Sequence, residues 1–146
     1  SGELYASLAA KVATAKALLT ASGESTHVDA IFWMQGEQDA THAKQAAAYQ
    51  AHLSEEFALF RKLAGDLHTT IISGRIADDY GQPHAEDVRE AQAAVDAADP
   101  HAAMIDTDDF SMQPDNLHYD AEGQVALGDA FFEQLPPDIG TGSPAT

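Results

Sequence analysis

Three times along the chain a short β-branched or aromatic run is followed by a longer segment with apolar residues at helical spacing. Few folds accommodate that alternation. The runs are Val28 to Met34, Thr69 to Ser73 and Ala102 to Asp106. After the first, Tyr49, Leu53, Phe57, Phe60 and Ala64 mark a long helix that Gly65 can end. After the second, Val88, Ala91, Val95 and Ala98 mark another, closing at Asp99-Pro100. After the third, Asp120 is suited to cap a last helix carrying Leu127, Phe131 and Leu135, which Pro136-Pro137 stops. An earlier helix is expected from Leu4, Leu8, Val12, Ala15 and Leu19, which share one face, with Ser22-Gly23 as its stop.

Strands that alternate with helices of this length pair in parallel through crossovers, which leaves helices on both faces of the sheet. The expected fold class is therefore α/β, a three-layer α/β/α sandwich around buried parallel strands. One domain over 1–135 accounts for the pattern, and 136–146 reads as a mobile tail. At 146 residues such a domain can bury roughly 70% of the surface its unfolded chain exposes. Ligands of open parallel sheets sit beyond the carboxyl ends of the strands. Here those ends run into three polar loops, Gln35 to Ala40, Gly74 to His84 and Thr107 to Tyr119.

Charge narrows the partners. With 24 Asp and Glu against 7 Lys and Arg, the net charge is −17, a surface that repels nucleic acid and anionic lipid. No apolar run approaches the roughly 20 residues that cross a bilayer, so no membrane association is expected. The chain has no Cys, which excludes disulfides and thiolate chemistry and removes the usual clue to compartment; localisation stays open, whether cytoplasmic, periplasmic or secreted. No Gly-rich phosphate loop follows a strand, and His27, His42, His52, His68, His84 and His101 lack a recognised ligand spacing. Neither a metal nor another cofactor is expected, although His42, Asp39 and Glu37 are close enough in sequence to consider.

Two of the three loops carry groups fit for catalysis. In "PDNLHYDAEG", Asp115 and His118 stand three residues apart just before a helix. A carboxylate beside an imidazole can accept its Nδ1 proton, leave Nε2 as a base and stabilise the imidazolium. The same spacing also suits a His that only solvates or caps a turn. In "FWMQGEQDA", Gly36 permits close backbone approach, and the Gln35 amide or a backbone N–H can face a developing oxyanion, with Glu37 and Asp39 orienting those donors or touching substrate. The competing reading is a polar turn in which Asp39 or Thr41 caps the next helix.

Taken together and in order, these blocks resemble the SGNH hydrolase superfamily, and most closely its sialate O-acetylesterase-like branch, which includes carbohydrate esterase family six. "FWMQGEQDA" is similar to that branch's aromatic strand running into Q-G-E-x-D/N, in place of the wider superfamily's G-x-N-D. "VREAQ", Val88 to Gln92, resembles its characteristic helix, and "DNLHYDAEGQVALG", Asp115 to Gly128, its closing D-x-x-H block. The resemblance covers about Val28 to Leu135. It implies an SGNH/flavodoxin-like sheet and hydrolysis of acyl esters, typically acetyl groups on carbohydrates, with acetylxylan esterases among similar enzymes. His118 would be the general base, Asp115 its orienter, Gln35 and Gly36 the oxyanion region, and Glu37 and Asp39 the shape of that loop.

The resemblance also implies a nucleophilic Ser in a G-D-S or G-Q-S-N block after a first strand, and then a second block with an oxyanion Gly; neither occurs here. Ser73, followed by Gly74, is the least unsuitable substitute, ahead of Ser22, Ser25 and Ser111. The expectation is a C-terminal portion of an esterase domain without its N-terminal strands, the Ser supplied by a segment outside this chain. Such a chain would associate with that segment or form a homo-oligomer to cover its sheet edge. The alternative is a non-catalytic glycan-binding or assembly module on the same scaffold.

Overall fold

The computed structural model describes residues 2–78, 81–137 and 139. Its elements follow the expected order: α1 (Glu3–Ala21), β1 (Ala30–Met34), α2 (Ala43–Ala64), β2 (Thr70–Gly74), α3 (Ala85–Ala98), β3 (Ala102–Ile105) and α4 (Ala121–Glu133), with one turn of 3-10 helix at Asp39–Thr41. The strands form a parallel sheet in the order β1-β2-β3. Ile31 lies beside Ile71, Met34 beside Gly74, and Gly74 beside Ile105.

Adjacent strand residues point to opposite faces, and the core divides accordingly. Ile71 packs with Tyr49, Leu53, Phe57 and Phe60 of α2 and Val88 and Val95 of α3. Ile72 packs with Ile105, Leu127 and Phe131 beneath α4. Helices thus cover both faces, as the α/β/α expectation required. Gly65 ends α2 in the left-handed conformation, φ 89°, which a residue without Cβ adopts freely. Asp120 caps α4 by accepting from the Gly123 N–H.

Two elements differ from the sequence reading. The run ending at Met34 was expected to be a buried strand, yet no residue of β1 is fully buried, and Phe32 is 51% exposed. The reason is position: β1 is an edge, and among the described residues no strand pairs with its outer side. Likewise, α1 forms, but none of its residues is buried. It is tied to α2 by Tyr5 Oη donating to the Leu59 carbonyl (3.2 Å) and Lys16 Nζ donating to that of Ala64 (2.6 Å). Leu8 and Val12 face Ile31, Phe32, Trp33 and Phe60 across an apolar cleft of about 250 Å³. No described helix is long and apolar enough to cross a membrane. Most of the expected mobile tail, residue 138 and residues 140–146, lies outside the described residues.

Candidate functional site

The Asp115–His118 segment is built as a turn around one carboxylate. Asp115 Oδ1 accepts from the Leu117 N–H (3.0 Å) and the His118 N–H (3.1 Å), while Oδ2 lies 2.8 Å from His118 Nδ1. Asn116 between them takes a positive φ of 52°, a conformation Asn tolerates better than most residues. An ionised carboxylate can only accept, so Nδ1 carries the proton and Nε2 is left as the basic nitrogen. The bond to the imidazole, with the two N–H groups behind it, lowers the Asp115 carboxyl to about 2. It is therefore ionised across the neutral range. The His118 side chain is 64% exposed, so Nε2 is within reach of another group.

The turn is anchored on both sides. Gln113 N–H donates to the His118 carbonyl (2.8 Å), and Met112 bridges Tyr119. Ser111 Oγ donates to Asp120, the cap of α4. That bond places Ser111 in the cap instead of against the imidazole. Ser73 is buried within β2, and Ser22 Oγ bonds carbonyls at the end of α1. Ser25 lies in the connection to the amino end of β1, away from the loops. Sequence reasoning had ranked all four as poor nucleophiles, and these surroundings account for it.

The Gln35–Ala40 turn is the second half of the site. Gly36 is buried with φ 141°, and a Cβ there would meet Val88 Cγ1 at 2.9 Å and Ile76 Cγ2 and Tyr49 Oη at 3.1 Å. Only glycine fits. The Gln35 carbonyl accepts from Tyr49 Oη (2.7 Å) and from Gln92 Nε2 (3.1 Å). Gln35 Nε2 donates to Asp39 Oδ2 (2.6 Å). The cap of α2 is His42, without a side-chain bond, so neither Asp39 nor Thr41 caps it; the Asp39 carboxylate serves Gln35 instead.

Glu37 stands in the same turn, between Gly36 and Asp39. Burial raises its carboxyl above the usual range, the N–H groups of Glu37 and Gly36 and the charge of His118 oppose this, and Asp39 adds to it. Tyr49 is raised by burial and stays a neutral phenol. Beside the same end of β1 opens a cleft of about 530 Å³ lined by Tyr5, Trp33, Gln35, Asp39, Tyr49 and His52 among others. Trp33 Nε1 is buried without a hydrogen-bond partner. His42 Nδ1 is bonded to Thr41 Oγ1. Among the described residues no group of three or more His, Asp or Glu side chains could hold a metal ion.

The loops after β2 and β3 are braced from α3 by residues of the Val88–Gln92 block, to which the sequence reading gave no individual role. Arg89 of α3 grips Asp108 through two bonds of 2.7 and 2.8 Å and also donates to the Ile76 carbonyl. Asp108 in turn receives Arg75 (3.0 Å). A signal existed for Gln92: it stands on the buried stripe between Val88 and Val95, where a polar side chain needs a specific partner.

The family model described as "Carbohydrate esterase, sialic acid-specific acetylesterase" matches residues 1–136. The chain belongs to this carbohydrate esterase family. A probable carbohydrate esterase of Arabidopsis thaliana is 31% identical over 104 residues, which are 69% of this chain and 37% of that protein. A crystal structure of the protein from the same Arabidopsis locus superposes with a TM-score of 0.77 at 24% identity, covering 91% of this chain and 52% of that one. A carbohydrate acetylesterase from Xanthomonas citri superposes at 0.59 and 20% identity, over 69% of this chain and 23% of its own. Both structures share the fold of this esterase-family chain, which spans about half or less of each relative's length.

Proposed function

We propose that this chain carries the His-Asp half of a serine esterase that removes acetyl groups from carbohydrates. The observation that carries the reading is the 2.8 Å bond from His118 Nδ1 to Asp115, which leaves an exposed Nε2 backed by an ionised carboxylate. Membership of a carbohydrate esterase family supports the reaction class.

In the mechanism, a Ser Oγ attacks the acetyl carbonyl while Nε2 of His118 takes its proton. The imidazolium, stabilised by Asp115, returns that proton to the departing sugar oxygen. Water then attacks the acetyl-enzyme with His118 again as base, and acetate leaves. The oxyanion is assigned to the Gln35–Gly36 region, where one well-placed donor is worth about 3 kcal/mol. Glu37 and Asp39 hold that turn. The Ser is assigned to a segment outside this chain that seats along the open edge of β1. Half-exposed Phe32 and the apolar cleft against α1 favour that edge, because natural proteins seldom leave such an edge bare.

The test is acetate release from an acetylated oligosaccharide and from p-nitrophenyl acetate by the complete enzyme. His118→Ala is expected to lower turnover by roughly 10²- to 10⁴-fold with the fold intact. Unchanged rates would contradict the assignment. Binding of the oligosaccharide with no release of acetate from any ester would replace it with the glycan-binding reading.

A further inference from the structure

The paired residues of the sheet end at Met34, Gly74 and Ile105, with one further backbone bond from the Arg75 N–H to the Ile105 carbonyl (3.0 Å). Beyond those residues the strand ends must be held by something else. A single side chain does much of this. Gln92 of α3 is only 2% exposed. Its Nε2 donates to the carbonyls of Gln35 (3.1 Å) and Gly74 (3.2 Å), and its Oε1 accepts from the Ile76 N–H (3.1 Å). Both amide hydrogens and the oxygen are thus engaged, all with backbone at the site end of β1 and β2.

We propose that Gln92 is a positioning residue for the Gln35–Glu37 turn: with Tyr49 it fixes the Gln35–Gly36 peptide plane so that the Gly36 N–H faces the site. The inference rests on the esterase reading above and assigns that reading a further residue. The geometry is simple. A peptide group is planar, and in the trans form its C=O and N–H point in opposite directions; the described residues contain no cis peptide bond. Tyr49 Oη from α2 and Gln92 Nε2 from α3 both draw the Gln35 carbonyl into the core. The Gly36 N–H on the same plane is therefore turned away from the core. Gln is specific for the task. Glu offers an acceptor for Ile76 but no pair of donors for the two carbonyls, and Met offers neither.

Amide hydrogen exchange followed by NMR on this chain tests the positioning directly. In Gln92→Met, the amides of Ile76 and Ala40 should exchange faster, the latter because its acceptor is the Gly36 carbonyl, while Ile72 and Ser73 keep their protection. In Gln92→Glu, Ile76 should stay protected and Ala40 should not. Unchanged exchange at Ala40 in both variants, or loss of protection throughout the sheet in both, would overturn the proposal. In the complete enzyme the same variants should lower kcat for an acetyl ester about 10- to 100-fold with KM nearly unchanged; an unchanged kcat would also overturn it. If His118→Ala retained full activity the esterase reading would fail, and the exchange pattern would still decide whether Gln92 holds the turn.

Discussion

Gly36→Ala should be among the most damaging single-methyl additions available in this chain. The residue sits at φ 141°, where an L side chain is strained by about 1–3 kcal/mol. The new methyl would also lie 2.9 Å from Val88 Cγ1 and 3.1 Å from Ile76 Cγ2 and Tyr49 Oη. Val88 and Ile76 are fully buried and packed in the core under α2 and α3, so they have little room to withdraw, and overpacking there costs about 1–3 kcal/mol. Together the two effects should remove about 2–6 kcal/mol, a large share of the roughly 5–15 kcal/mol that stabilises a typical domain. For a chain of this size that corresponds to a fall in Tm of about 7–20 °C. Thermal and urea unfolding followed by circular dichroism measure it. Gly128→Ala is the internal control: it lies in α4, where an added Cβ meets nothing within 4 Å, and should stabilise by up to about 1 kcal/mol. A Gly36→Ala variant within about 1 kcal/mol of wild type would refute the claim that this turn is locked against the core.

Other expectations follow from the charges and caps. Glu37 has a folded carboxyl raised, chiefly by burial, above its ordinary value of 4.5, so its ionisation opposes folding: the penalty is absent below about pH 4.5 and grows as pH rises through the folded value. Glu37→Gln should therefore raise Tm at pH 7 and leave it nearly unchanged at pH 4. Asp108, lowered chiefly by its bond to Arg89, behaves oppositely, contributing stability above its ordinary value of 3.8 that is lost as pH falls through the folded value. Asp108→Asn should accordingly flatten the acid limb of the stability profile, measured by urea unfolding from pH 5 downward. Asp120→Ala removes the cap of α4 and the partner of Ser111, and should cost about 1 kcal/mol in urea unfolding.

The layered fold was legible because its pattern is local. Val28 to Met34, Thr69 to Ser73 and Ala102 to Asp106 each lie within two residues of an observed strand, and the apolar spacing of α2, α3 and α4 matches their buried faces except at Ala98, which is exposed, and Leu135, which lies past the end of α4. The Asp115–His118 pair was equally local, three residues apart and closed by its own turn. Burial was less legible. Nothing in "AIFWM" distinguishes a central strand from an edge, and Phe32 is exposed because of what lies beside β1, not because of its own sequence. The same holds for α1, whose apolar spacing is helical although none of its residues is buried. Long-range polar partners were least accessible. That Gln92 reaches a carbonyl 57 positions away, and that Asp39 serves Gln35 instead of capping a helix, depend on how loops converge above the sheet.

The measurement that bears most directly on the central claim is fluorophosphonate labelling of the complete enzyme with mass detection, in wild type and in His118→Gln. The account expects one labelled Ser, located outside the residues of this chain, with labelling that falls by orders of magnitude when His118 is replaced. Labelling that persists in His118→Gln, or ester turnover by an enzyme that no probe labels, would contradict the assignment of His118 as the base that activates a nucleophilic Ser.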